Sequence, residues 1–280
     1  MKTTIYCSLA LLCFAANSVL CRLALGRELI DAGSFTVVRL FSGAVCLTFV
    51  LFIASRNKSV SISNGSWFSG GALFLYAVTF SFAYISLDTG TGALILFGSV
   101  QITMIAWQYF CGKRLSVVEC LGVLVAFSGL IYLVYPIITT PAITGMLLMA
   151  SAGCAWAAYT LRGKSSQDPL ADTAFNFIRT LPLIIVLAIV SWKDAEMTNE
   201  GLLYAVLSGA FASGVGYALW YVALEKLTAT LAAVTQLSVP VIAAIGGVAL
   251  VGERADLRLV LATALVLGGI GMVIYQNTKR

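Results

Sequence analysis

Ten apolar stretches separated by short polar turns account for almost the whole chain: residues 3–22, 33–54, 66–86, 90–110, 116–135, 142–161, 171–191, 201–223, 228–250 and 257–276. About 20 apolar residues in a helix cross the hydrocarbon of a bilayer. Backbone amides in lipid must be paired within their own segment, so each stretch is predicted as a transmembrane α-helix. The connections are shortest at 87–89, 136–141 and 224–227, which forces neighbouring helices antiparallel.

The positions that punctuate this pattern occur twice. Arg22 recurs as Arg162, Phe35 as Phe175, Arg39 as Arg179, Gly112-Lys113-Arg114 as Gly252-Glu253-Arg254, Gly129 as Gly269 and Tyr135 as Tyr275, each 140 positions on (22 to 162). Tyr84, Leu87, Asp88 and Thr91 recur as Tyr221, Leu224, Glu225 and Thr228, 137 positions on (84 to 221). The chain is therefore expected to divide into a five-helix repeat at 1–138 and a second at 139–280. Five is odd, so the second copy enters the membrane upside down. The expected fold is an all-α membrane protein of ten transmembrane helices in two inverted five-helix repeats. Carriers that open alternately to either side of a membrane are commonly built this way.

Composition agrees with lipid as the solvent: 60% of residues are hydrophobic and 10% charged, against about 25% charged in a soluble domain. No long polar segment suggests an attached soluble domain. Lys2 followed by the apolar run Ile5–Leu20 resembles a signal peptide. Its repeat partner is internal, so it is expected to remain as the first span. The net charge is +5, but the basic residues are scattered over loops, which argues against nucleic acid as a partner. With the N-terminus inside, the inner loops hold Lys2, Arg56, Lys58, Lys113, Arg114, Arg162, Lys164, Lys226, Lys279 and Arg280. The outer loops hold Arg22, Arg27, Lys193, Arg254 and Arg258. The excess favours both termini in the cytoplasm and a multi-pass protein of the cell (inner) membrane. Trp67 and Trp192 sit at span ends, as interfacial anchors do.

There is no histidine, which removes serine triads, imidazole metal sites and histidine proton relays. The seven cysteines (7, 13, 21, 46, 111, 120 and 154) show no C-x-x-C spacing and are expected to pack between helices as small hydrophobes. No metal, cofactor or catalytic residue is expected, and an enzyme is disfavoured.

From Pro240 the chain reads PVIAAIGGVALVGERADLRLVLATALVLGGIGMVIY, with a proline in mid-helix, a G-E-R turn and a final helix with G-G-I-G. Together with Cys154-Ala155-Trp156-Ala157, Tyr159, and the placement of Arg39 and Arg179, it resembles the EamA-type family of the drug/metabolite transporter superfamily over essentially the whole chain. The first copy departs from the pattern: Thr103 stands where Pro240 corresponds, and Lys113 where Glu253 does. The resemblance implies a carrier with helices 1–4 and 6–9 around a central cavity and helices 5 and 10 at the periphery. It also implies transport of amino acids and other small metabolites, often outward, with drugs moved by some members.

Candidate chemistry concentrates on few residues. Arg39 and Arg179 are the charged residues deep in spans, where charge is expensive and signals function by default. One or both grip a substrate carboxylate or hold a gate by bonding carbonyls at helix ends, or else each snorkels or ties down neighbouring helix termini for folding alone. Asn17, Gln101, Asn176 and Gln236 are polar groups within spans, suited to solute hydrogen bonding or to interhelical bonds. Tyr76, Phe80 and Tyr84 share one helical face, as do Trp156 with Tyr159 and Tyr217 with Tyr221. These faces suggest a pocket for an apolar or aromatic solute, against ordinary packing. Pro182 and Pro240 are candidate hinges. Gly90, Gly92, Gly209, Gly214 and Gly216 are candidate close-contact positions. Asp88 and Glu225, at matching turns, are expected to cap helices.

The expected function is a secondary transporter, an exporter, of small organic metabolites such as amino acids, acting by alternating access. Multidrug efflux and a non-transporting membrane subunit are the alternatives. The expected partners are a small-molecule solute and the lipid bilayer, with a homodimer through helices 5 and 10 compatible with the pattern.

Overall fold

The computed structural model describes residues 2–54, 64–112, 116–134, 142–163, 166–224, 226–227, 235–236, 238–254 and 256–278. Its helices are α1 Lys2–Leu25, α2 Ala32–Ala54, α3 Trp67–Ala83, α4 Thr89–Phe110, α5 Val117–Val134, α6 Ala142–Gly163 and α7 Pro169–Val190. They continue with α8 Asn199–Leu224, α9 Ser238–Val251 and α10 Leu257–Thr278. Among the described residues six helices are long and apolar enough to cross a membrane (within α1, α2, α4, α6, α7 and α8), and four shorter apolar helices lie in α3, α5, α9 and α10. Residues 228–234, the first part of the ninth predicted span, lie outside the described residues. So do Arg56, Lys58, Lys113, Arg114, Tyr135, Lys164, Glu225, Thr228, Lys279 and Arg280.

Local chemistry sets several boundaries. Ser66 precedes α3 and accepts a 3.1 Å bond from the Ser69 amide. Asp168 does the same for α7 through the Ala171 amide, with Pro169 opening the helix where its missing N–H costs nothing. Thr198 caps α8 through the Gly201 amide. The third span ends at Ala83 rather than at 86, because Tyr84, Ser86 and Leu87 turn back onto carbonyls of the last helical turn. Within α8, residues Leu207–Val215 form a π-helical segment that the sequence pattern does not reveal.

The helices pack in a restricted set of pairs. α1 lies against α8 and α9, and α6 lies against α3 and α4. α2 packs on α7, and α5 chiefly on α10. At one end of the bundle the turns after α1 and α7 meet through an Ile30–Met197 bridge and a 2.9 Å bond from the Thr198 amide to the Leu29 carbonyl. At the other end the turn after α2 meets α7, with the Gly65 amide 2.7 Å from Asp172 Oδ1. Where α5 crosses α10, a Cβ on Gly122 would strike the Gly269 carbonyl and one on Gly269 would strike the Gly122 carbonyl. Only glycine admits this approach.

The surface is apolar where lipid would lie: Phe49 and Phe52 on α2 and Ile189 and Val190 on α7 are exposed. Trp67 and Trp192 are exposed at helix ends. The cysteines divide, which corrects the expectation that all seven pack between helices. Cys7 and Cys21 are buried and Cys13 and Cys46 half-buried, but Cys111, Cys120 and Cys154 are exposed. A thiol is apolar enough to face hydrocarbon.

Candidate functional site

The aromatic faces read from the sequence converge at the centre of the bundle. On α3, a spacing of four stacks Tyr76, Phe80 and Tyr84 in one row, with ring centroids 5.3 Å and 4.8 Å apart. From α6, Trp156 lies over Tyr159 at 5.5 Å and meets Tyr76 at 5.0 Å. From α8, Tyr217 meets Trp156 at 4.8 Å. Two rings hidden in uniformly apolar runs complete the cluster. Phe14 of α1 sits edge-on to Trp156, Tyr217 and Trp220. Such tilted and edge-to-face pairs are favourable beyond their burial. The rings enclose a central cavity of about 10 Å³ lined also by Asn17 and Ser18, room for roughly one water.

A polar cluster stands beside this cavity. Asn17 donates to the Tyr76 hydroxyl at 3.3 Å and accepts from Ser208 Oγ at 2.6 Å. Arg39, 1% exposed, donates from Nη2 to the same Tyr76 hydroxyl at 3.2 Å and from Nε to Ser213 Oγ at 3.3 Å. Its guanidinium lies over the rings of Phe80 and Tyr76, 4.8 Å and 5.2 Å from their centroids. Cation–π contact of this kind contributes about 2 kcal/mol when desolvated. Among the described residues, buried Arg39 Nη1 has no hydrogen-bond partner and no carboxylate forms an ion pair with Arg39. The π-helical segment explains how both serines reach the cluster. Positions five apart diverge on an α-helix but realign where bonds run from i to i+5. At Gly209, in the same segment, a Cβ would collide with the Arg39 carbonyl and Ser42 Oγ, so α8 runs directly against the α2 backbone.

The other arginine within a span has different company. Arg179 donates from Nη1 to the Asn64 carbonyl at 2.6 Å and to the Phe175 carbonyl at 3.1 Å. Asn176 Oδ1 accepts from the Ser66 amide at 2.8 Å. Arg179 and Asn176 thus hold the entry to α3. Gln101 and Gln236 are buried, and Gln236 Oε1 has no partner among the described residues. Tyr84 is fully buried and donates to the Thr89 carbonyl at 3.3 Å. Tyr221 contacts Tyr159 edge-on. Pro182 lies inside α7 and Pro240 is buried in α9.

A second cluster, at one end of the bundle, ties three segments together. Arg22, in the last turn of α1, donates from Nη1 to the carbonyls of Tyr84 and Ile85 at 3.1 Å and 3.3 Å. It also pairs with Asp88 at 3.4 Å and with Glu253 at 3.5 Å. Glu253 Oε1 in turn accepts from the Thr89 amide and the Thr89 hydroxyl, both at 2.8 Å. Gly252, at φ +81°, makes the left-handed turn that brings Glu253 back over α9 and toward α4. The expectation that Asp88 caps a helix is corrected here. Asp88 occupies the N-cap position of α4 but makes no capping bond. Its carboxylate goes to Arg22, and Glu253 caps α4 from 164 residues away in sequence. In the sequence, Arg22 stands out as the repeat partner of Arg162 and as an outer-loop cation, and Glu253 as the repeat partner of Lys113 within the G-E-R turn. Their signal was their place among the repeated positions.

Comparison with known proteins agrees with this architecture. Residues 143–275 match the EamA-like transporter family. An uncharacterized protein of Pseudomonas aeruginosa is 47% identical over 100% of this chain and 96% of its own length. The uncharacterized transporter YoaV of Bacillus subtilis is 21% identical over 88% of each chain. An uncharacterized transporter of Archaeoglobus fulgidus is 27% identical over 72% of this chain and 74% of its own. One crystal structure superposes with a TM-score of 0.65 over 95% of this chain and 96% of the other at 18% identity, which shows a shared fold. The chain belongs to the EamA-like transporter family and is a multi-pass membrane transporter of a small-molecule solute.

Proposed function

We propose that this protein is a secondary carrier that exports small organic metabolites, such as amino acids, across the inner membrane by alternating access. The moving parts are two inverted halves, residues 1–138 and 139–280, with both termini in the cytoplasm. The helix pairing supports this reading. α1 against α8 and α9 is answered by α6 against α3 and α4, while α2–α7 and α5–α10 map onto themselves under an exchange of halves. The turn after α1 and its repeat counterpart after α6 belong to opposite ends, as inversion requires.

The observation that carries the proposal is the nearly closed cavity where α1, α3, α6 and α8 meet, lined by rings and edged by Asn17, Arg39 and Tyr76. The cavity has room for about one water in this arrangement, so a solute enters when the rings part and is then shielded from both sides. The Arg22–Glu253–Thr89 contacts close the mouth at their end, which is the outer mouth in the proposed orientation. Release of that contact lets the halves rock, with Pro182 and Pro240 as flexible points and the Gly209 contact as a sliding surface. Ligand binding favours whichever arrangement it contacts better. The aromatic lining alone also suits apolar drugs, but the cation of Arg39 disfavours the cationic compounds typical of drug efflux. Counterflow in proteoliposomes with a panel of labelled amino acids tests the proposal. Saturable exchange is expected, and absence of flux for every solute tried points to a non-transporting subunit.

A further inference from the structure

We propose that the solute is a carboxylate on an aromatic or bulky apolar body, and that Arg39 is the residue that receives the carboxylate. This rests on the carrier reading above and narrows its substrate class. An arginine is charged at any physiological pH. Burying that charge is costly unless it is paired, and a charge within a membrane span is more so. Arg22 and Arg179 conform: the first meets two acids and the second two carbonyls. Arg39 does not. Among the described residues its partners are neutral hydroxyls on Nε and Nη2, and none takes the donors of Nη1.

The geometry says what would complete it. The Tyr76 and Phe80 rings pack against the guanidinium and leave its edge for hydrogen bonding. A planar guanidinium edge matches a carboxylate, whose charge would neutralise the arginine at the moment of binding. The same Tyr76 ring lines the central cavity, where Phe14, Trp156 and Tyr217 offer faces and edges to an apolar body. Among the described residues no acidic side chain lines that cavity, so an amino group on the solute finds no carboxylate there and meets only aromatic faces and the neutral Asn17 and Ser18. The carboxylate is the required feature, and an amino group is optional. In the present arrangement the cavity has room for about one water, so binding must part the rings.

The experiment compares acids with their neutral isosteres on the intact protein. Phenylacetate, 3-phenylpropionate, indole-3-acetate and isovalerate, each beside its primary amide, are added to purified protein, and the melting temperature is followed. At least one acid is expected to raise it while its amide does not. Half-saturation for that acid should rise about 10- to 100-fold in Arg39→Gln. Arg39→Lys should recover part of the loss, which a packing role alone would not do. If Arg39→Gln fails to fold, the wild-type acid–amide contrast still decides. Equal stabilisation by acid and amide, or stabilisation by amides only, overturns the proposal. If no acid stabilises the protein while neutral or cationic solutes show counterflow, the proposal falls and the carrier reading stands. If no solute of any class moves, the carrier reading itself falls.

Discussion

Replacing Glu253 by alanine should open the mouth closed by Arg22. In the closed arrangement the Glu253 carboxylate accepts two bonds of 2.8 Å from Thr89 and faces Arg22 at 3.5 Å. Its side chain is 12% exposed, so water screens it little, whereas Asp88, 65% exposed, is largely screened. Loss of a helix cap costs about 1 kcal/mol, and the charge-assisted bond with the ion pair adds about 2 kcal/mol. The exposed Arg22–Asp88 pair is worth well under 1 kcal/mol. In the proposed mechanism these contacts exist only when that mouth is closed, so their loss should shift the closed–open balance by about 3 kcal/mol, roughly 100-fold. Cys21, adjacent to Arg22 and 0% exposed, reports the opening. With the other cysteines replaced by alanine or serine, its rate of reaction with an impermeant thiol reagent follows the open fraction. Glu253→Ala should accelerate labelling about 100-fold and Asp88→Asn by under about 5-fold. A folded Glu253→Ala protein that labels at the parental rate would refute the reasoning, as would a larger effect from Asp88→Asn.

Three further outcomes follow from the contacts. Arg179→Ala should lower thermal stability by about 1–3 kcal/mol through the entry to α3 without altering solute preference, which a melting curve and a competition series distinguish. Gly269→Leu should force α5 from α10 and cost about 1–3 kcal/mol or more. Gly268→Leu, with nothing within 4 Å of the new Cβ, should be tolerated, as expression and melting temperature will report. Tyr76→Phe removes the oxygen that accepts from both Asn17 and Arg39. It should destabilise the protein by about 1–3 kcal/mol for each donor left unpaired, read by chemical or thermal unfolding in detergent.

What could be read in the sequence was whatever depends on local periodicity. The apolar stretches marked the helices, and a spacing of four put Tyr76, Phe80 and Tyr84 on one face. Arg39 and Arg179 stood out because charge within a span is rare. Their different environments were not legible, because they depend on what tertiary packing delivers: the Asn64 carbonyl to Arg179, and the Ser213 hydroxyl to Arg39. The π-helical register that aligns Ser208 with Ser213 has no recognisable local code among the small residues of that segment. Phe14 and Trp220 could not be singled out within runs where almost every residue is apolar. The contact between Glu253 and Thr89 joins positions far apart in the chain, and a cap supplied from such a distance leaves no mark near the helix it serves. The local rule therefore pointed to Asp88.

Alternating access is tested most directly by following both mouths at once. Spin-label pairs at positions 86 and 254 would report the end closed by Arg22, and pairs at 110 and 226 the opposite end. Distance distributions would be measured in lipid nanodiscs with Glu253 intact and replaced by alanine. Two opposed halves require the pairs to answer in opposite senses, the 86–254 distance lengthening as the 110–226 distance shortens. Mouths that widen together, or a far mouth unmoved while the near one opens, would contradict a carrier that rocks about a central site.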